Sequence, residues 1–129
     1  MKMIFKPGDV KSYKKVVTDL DLAAFHGETL HPVYSTFSLA RDFEWSSRLF
    51  FLEMKEEDEE GVGTFLSIEH KSPAREGEEV IITASIETIQ DNELICIIEA
   101  RSGGRLIASG KTGQKMLKKE KLKKLFGHG

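Results

Sequence analysis

From about Ser38 to Met54 the apolar positions recur with the period of a helix. Leu39, Phe43, Ser46, Phe50 and Met54 form one stripe, and Trp45, Leu49 and Leu52 occupy another side. Ser38 is the expected N-cap, because its hydroxyl can accept from a free backbone N–H of the first turn. A helix apolar over so much of its circumference belongs inside a domain. The charged run Lys55 to Glu60 ends it. Gly61 and Gly63 then open a different pattern, with period two. Val62, Thr64, Leu66, Ile68 and His70 fall on one face of a strand. Val80, Ile82, Ala84 and Ile86 do so in the next, against Glu79, Thr83, Ser85 and Glu87. Leu94, Cys96, Ile98 and Ala100 follow in a third. Residues 105–117 make the last strand.

The connections are readable as well. Gln90-Asp91-Asn92-Glu93 and Ser102-Gly103-Gly104-Arg105 are hairpin turns; in the second, glycine supplies positive φ without steric cost. Short connections predict that these four strands form an antiparallel meander. Before the helix, Pro7-Gly8-Asp9 marks a turn and residues 11–17 a strand. Residues 18–34 are less regular. Thr18-Asp19 is placed to cap a short helix through Leu20, Leu22, Ala23, Ala24 and Phe25, and Gly27 and Pro32 interrupt it. That segment is expected to be a mobile helix or loop. The order is therefore one strand, an irregular segment, one long buried helix and four antiparallel strands. A single flat sheet cannot cover such a helix, whereas a strongly curved sheet covers most of it and a second subunit the rest.

Composition narrows the classes. Hydrophobic residues make up 40% of the 129, ordinary for one globular domain and too many for disorder. The formal net charge of −2 gives no bulk attraction to nucleic acid. The single cysteine, Cys96, permits no intrachain disulfide and implies a reducing compartment; its place in an alternating strand marks a packing residue, not a nucleophile. The apolar run at the N-terminus is too short for a signal peptide. No stretch approaches the ~20 apolar residues of a membrane helix, so a cytoplasmic setting is expected. Six lysines lie between Lys115 and Lys124, interleaved with Leu117, Leu122 and Leu125. They read as a solvated amphipathic end; the alternative is a surface for an acidic partner.

Candidate chemistry rests on Thr36, Glu44 and His70. A hydroxyl, a carboxylate and an imidazole are the groups needed to activate water or to form an acyl intermediate. Each has a structural alternative. Thr36 is a natural helix-start residue, like Ser35 and Ser38. Glu44 can pair on the helix surface with Arg41 or Arg48, although Phe43 and Trp45 beside it suggest a partly buried site. His70 shares the face of Leu66 and Ile68, which aims it at the helix and toward Glu44. Gly63 either starts the strand or lets backbone approach a substrate and donate its N–H to an oxyanion. His26, His31 and His128 lack metal-ligand spacing. No phosphate loop or Gly-x-Ser-x-Gly elbow is present.

Glu44, followed by Trp45, comes eight residues after Thr36, and His70 another twenty-six on. With Gly63-Thr64, Pro73-Ala74, Gly77 and Ser109-Gly110, this pattern resembles the hotdog-fold acyl-CoA thioesterases, and most the fluoroacetyl-CoA thioesterase type. The likeness runs from about Gly8 to Met116. It implies an α+β hotdog fold, a curved antiparallel sheet around one central helix, filling residues 1–129 as a single domain. It also implies hydrolysis of a small acyl-CoA thioester by Thr36, Glu44 and His70, with Gly63 and Thr64 near the acyl group. No metal or redox cofactor is implied, coenzyme A being part of the substrate. The expected assembly is a homodimer with active sites at its interface, without nucleic acid or membrane. Two departures bear on selectivity. The segment between Val17 and Thr36 is shorter than the family's lid and lacks its paired phenylalanines; Phe25, Leu30 and Tyr34 are the nearest candidates for substrate contact. Gln114 stands where the fluoroacetyl enzyme has arginine, which argues against selectivity for a fluorinated acyl group. Lys71, Arg75 and Lys111 are candidates for the CoA phosphates. The competing readings are a non-catalytic acyl-CoA-binding module of the same fold and an interaction protein using the basic tail.

Overall fold

The computed structural model describes residues 1–25 and 28–127, with backbone alone for residues 24, 25 and 28–30. Five strands form one antiparallel sheet: β1 (Val10–Val16), β4 (Glu59–His70), β5 (Glu79–Gln90), β6 (Glu93–Ser102) and β7 (Arg105–Lys118). β2 (Leu22–Phe25) and β3 (Glu28–Tyr34) form a separate hairpin, α1 (Thr36–Met54) is the long helix, and α2 (Lys119–Leu125) closes the described chain.

The sheet wraps α1 as the alternation requires. Leu39, Phe43, Phe50 and Met54 of the helix meet Val80, Ile82, Ala84, Leu94, Cys96, Ile98 and Ala100, all buried. Each large side chain removed from water there contributes roughly 1.5–3 kcal/mol. Burial pushes the Cys96 thiol up to about 12, which leaves it protonated and suits a packing residue. The other side of α1 is open in the single chain: Phe37 is 83% exposed, Trp45 45% and Leu52 43%. Trp45 and Leu52 thus form a stripe that the sheet leaves uncovered, the part of the helix expected to be covered by a second subunit.

Three local expectations are corrected. Ser35, not Ser38, is the N-cap: its hydroxyl accepts from the Ser38 N–H at 3.0 Å. The helix therefore begins at Thr36, and the Thr36 hydroxyl is spared for other use. Leu22–Phe25, where a helix is expected, is a strand. Thr18 and Asp21 do form a capping box, but around a single 3-10 turn. Lys15 and Arg41 draw the Asp21 carboxylate inward at 3.0 and 2.9 Å. The Asp21 carbonyl accepts from the Ser35 N–H, so the chain leaves the turn as the β2–β3 hairpin. Pro32 is tolerated in this two-stranded hairpin, which has a free edge.

The third correction concerns topology. β5, β6 and β7 are a meander, but β4 pairs with β7, and the sheet order is β1-β5-β6-β7-β4. The connection 71–78 crosses the end of the sheet instead of making a hairpin. Its backbone is held there by Lys71 and Ser72 N–H groups on the Ile107 carbonyl, by a bridge from Arg75 to Val33 and by buried Ala74. This crossing frees β4 as an edge strand. It also brings His70, the last residue of β4, beneath the start of α1.

Candidate functional site

Thr36 and His70 meet. The Thr36 hydroxyl lies 3.1 Å from His70 Nδ1. Two features of the chain make this contact: the Ser35 cap frees the hydroxyl, and the inward face of β4 carries Leu66, Ile68 and His70, all half-buried. Burial pushes the imidazole below its ordinary value, partly offset by the neighbouring Ser72 backbone. The ring is therefore neutral at pH 7. A neutral ring either accepts the Thr36 proton at Nδ1 and carries its own on Nε2, or donates Nδ1–H to the Thr36 oxygen and leaves the hydroxyl proton free. Nε2 is buried and has no partner among the described residues.

Glu44 lies elsewhere. Eight residues further along α1 is about 12 Å along the axis. Its carboxylate sits over Gly63: a Cβ added at Gly63 would stand 3.4 Å from Glu44 Oε1. Gly63 and His70 lie well apart on the inner face of β4 (Glu59–His70), about 20 Å at strand rise. His70 thus pairs with Thr36 and not with Glu44, contrary to its expected aim. One chain holds two half-sites, Thr36 with His70 and Glu44 with Gly63. Glu44 is also exposed in the single chain, where its apolar neighbours suggest partial burial.

The Glu44 half-site opens on a cavity of about 200 Å³ lined by Arg41, Glu44, Trp45, Arg48, Gly63 and Gln114. Neither arginine pairs with Glu44. Arg41 donates to Asp21 at 2.9 Å and to Asp42 at 3.4 Å. Arg48 donates to Glu60 at 2.5 Å and to the Gly61 carbonyl at 3.2 Å. The surface-pair alternative for Glu44 is therefore not what the side chains do. Gln114 braces the helix here, donating to the Glu44 carbonyl at 3.1 Å and to Ser47 Oγ at 2.7 Å. A larger hollow of about 430 Å³ on the outer sheet face, bordered by Ser67, Ile97, Glu99 and Lys111, holds no nucleophile–base pair.

The remaining candidates divide. Thr64 is the extra residue of a β-bulge: Gly63 pairs with Gln114 and Phe65 with Gly113. Thr64 is exposed at the free edge of the sheet, one residue from Gly63. Tyr34 is fully buried and donates its hydroxyl to Asp42, so it belongs to the core beneath the hairpin. The side chains of Phe25 and Leu30 lie outside the described residues, as does His26. Lys71 pairs with Glu69 and Lys111 with Glu87, while Arg75 is exposed.

Comparison with known proteins settles the family. The model of the fluoroacetyl-CoA-specific thioesterase family matches residues 17–120. The chain belongs to that family. A thioesterase superfamily member from Thermus thermophilus is 32% identical, with a TM-score of 0.92 over 99% of this chain and 94% of that one. A hot-dog-like protein from Thermanaerovibrio acidaminovorans superposes at TM-score 0.88 with 18% identity, covering 96% of this chain and 92% of its own. A variant of the fluoroacetyl-CoA-specific thioesterase in complex with fluoroacetate and CoA gives 0.83 at 21% identity, over 92% of this chain and 99% of that one. Comparison with curated proteins gives no match. The hotdog fold is thus established for this member of the fluoroacetyl-CoA-specific thioesterase family.

Several residues that shape this thioesterase are silent in sequence patterns. Asp21, Asp42, Lys15 and Arg41 form a charged cluster under the hairpin, with Tyr13 donating to the Asp42 carbonyl at 2.9 Å. Burial pushes the Asp21 carboxyl up, but hydrogen bonds from Thr18, Lys15 and Arg41 outweigh it and hold Asp21 below its usual range. Only the Thr18-to-Asp21 spacing signals any of this in advance. Among the described residues no group of three His, Cys, Asp or Glu side chains is arranged to hold a metal ion, and no helix is long and apolar enough to cross a membrane.

Proposed function

We propose that this acyl-CoA thioesterase hydrolyses a small acyl-CoA, using Glu44 and Gly63 of one subunit with Thr36 and His70 of its partner in a homodimer. The observation that carries the reading is the pair of half-sites: a Thr36–His70 hydrogen bond of 3.1 Å, and an unpaired carboxylate above Gly63 too far away to join it in the same chain. β4 is a free edge, and a free edge is a template for pairing. Symmetric antiparallel pairing of two β4 strands centred on Ser67 sets Leu66 opposite the partner's Ile68 and Gly63 opposite the partner's His70. The bulge at Thr64 keeps those opposed residues on the same face, since it restores the alternation that an odd spacing breaks. Exposed Trp45, Leu52 and Phe65 supply apolar surface near that edge.

In such a site Glu44 attacks the thioester carbonyl, directly or through a water whose proton it takes. The Gly63 N–H meets the oxygen that gains charge, and so does the Thr36 hydroxyl, whose proton is free for it when His70 donates to the Thr36 oxygen through Nδ1–H. The C–S bond then breaks, and the CoA thiolate leaves as the thiol with a proton delivered by way of His70; on the direct route a water then opens the mixed anhydride left on Glu44, freeing the acid and restoring the carboxylate. The cavity of about 200 Å³ favours a short acyl chain. Lys71, Arg75 and Lys111 are the proposed phosphate contacts, and Cys96 as a lone thiol suits a reducing cytoplasm.

The test is release of free CoA from a panel of short, branched and aromatic acyl-CoAs, comparing the native protein with Glu44→Ala. A rate lower by two or more orders of magnitude in the variant supports this chemistry. Full activity in Glu44→Ala overturns it, and acyl-CoA binding without turnover by the native protein points to a binding module.

A further inference from the structure

Glu44 has a cation on either side along its own helix. Arg48 follows at i+4 and Arg41 precedes at i−3. A glutamate followed four residues on by a cation is a favoured helix pair, yet neither arginine takes it. Arg48 is turned toward β4, where Glu60 Oε1 and the Gly61 carbonyl accept from its guanidinium at 2.5 and 3.2 Å. Lys55 holds the other Glu60 oxygen at 3.3 Å. Arg41 is turned the opposite way, onto Asp21 and Asp42. All three side chains line one cavity with Gly63, so a released Arg48 has only to rotate along the helix to reach the Glu44 carboxylate.

We infer that Glu60 is a positioning residue for the reaction: by holding Arg48 against β4 it keeps the Glu44 carboxylate unpaired and available as base or nucleophile. The inference rests on the role of Glu44 proposed above. Around Glu44 the charged groups are Arg41 and Arg48 of α1 and Glu60 of β4, while β7 presents the uncharged Gln114. Pairing with Arg48 favours the ionised carboxylate and makes it a weaker base and nucleophile. Glu60 is about one-third exposed, and its other contacts are Lys55 and the Gly61 N–H.

The experiment is a two-by-two set, native, Glu60→Gln, Arg48→Gln and the double variant, assayed for kcat, KM and the pH profile on the best acyl-CoA of the panel. Glu60→Gln is expected to lower kcat roughly 3- to 10-fold with little change in KM. The acidic limb of its profile should move to lower pH, because an arginine beside a carboxylate favours the ionised form. In the Arg48→Gln background the Glu60 substitution should change neither quantity. A Glu60→Gln profile that stays in place, or an equal loss in both backgrounds, overturns the inference and leaves Glu60 a structural link. Glu44→Gln in the same assay separates this from the parent reading: full activity there removes the carboxylate role itself.

Discussion

Thr36 and His70 lie 34 residues apart in sequence, and the Thr36 hydroxyl is 3.1 Å from His70 Nδ1. The contact depends on Ser35, which takes the capping bond at 3.0 Å and leaves Thr36 free. Thr36→Ala is expected to fold normally, since the cap is untouched, and to lose about 10²-fold in kcat as the oxyanion donor disappears. Thr36→Ser should retain most activity. Ser35→Ala is the contrast: it should cost about 1 kcal/mol of stability by removing the cap. Thermal unfolding and CoA release, measured on all three, separate the two roles.

His70 gives a stability signature with a definite sign. Burial holds its folded-state pKa below the ordinary 6.5, so the unfolded chain binds the proton more readily. Stability is therefore fully present above that ordinary value and falls as the pH drops below it. The melting temperature of the native protein should decline from pH 7.5 to 5. Asp21, also held below its usual range, adds a similar decline at lower pH, through the carboxylate region. His70→Gln should flatten the part near pH 6 and leave the acid part. An unchanged slope near pH 6 in the variant would show that the ring titrates freely.

Tyr34 separates a core role from a lid role. It is fully buried, and its hydroxyl donates to Asp42, whose carboxylate also receives Lys15 at 3.7 Å and Arg41 at 3.4 Å. Tyr34→Phe leaves the Asp42 carboxylate one donor short and should cost about 1–3 kcal/mol. The expected phenotype is a lower melting temperature with KM nearly constant. A raised KM at unchanged stability would instead return Tyr34 to the substrate surface.

Gly63 probes the floor beneath Glu44. A Cβ there meets the carboxylate at 3.4 Å, an ordinary contact, and the backbone is not in the left-handed region. Gly63→Ala should therefore fold with stability within about 0.5 kcal/mol of native. It should still raise KM and lower kcat, because the methyl group occupies the approach to the Gly63 N–H. Gly63→Val enlarges the same obstruction. If Gly63→Ala matched the native rates, the acyl group would have to approach from another direction.

Most of the fold was legible because strands and α1 obey simple periods. The inward sets Val80 to Ile86 and Leu94 to Ala100 read directly from alternation, and Gly103 and Gly104 take the positive φ angles of 56° and 81° that their hairpin needs. Topology was less legible. β4 looks like the first strand of a meander because sequence neighbours usually pair; its partnership with β7 depends on the 71–78 crossing, which has no periodic signal. The hairpin at 22–34 was hidden because its cap signal is real but is consumed in one turn by the buried Asp21 charge. At the site, residue types and spacing were readable, but convergence was not. Thr36 and His70 meet across the fold, and Glu44 faces β4 at Gly63, well away from His70. Arg41 and Arg48 look like partners of Glu44 by spacing, and only the tertiary positions of Asp21, Asp42 and Glu60 turn them away.

The two half-sites make a prediction that no single-chain site shares. If Glu44 of one subunit works with Thr36 and His70 of the other, Glu44→Ala and His70→Ala inactivate every site of their own homodimers. Subunits of the two variants that exchange form mixed dimers in half of the population. In each mixed dimer one composite site carries both substitutions and the other carries neither. Mixing two inactive preparations under exchange should therefore restore about a quarter of the native activity. The pair Glu44→Ala and Gly63→Val should restore none, since both residues come from the same subunit. Sedimentation of each preparation checks that dimers form. Persistent inactivity of the Glu44→Ala and His70→Ala mixture, with exchange verified by a tagged subunit, would mean that each chain completes its own site by moving Glu44 and His70 together.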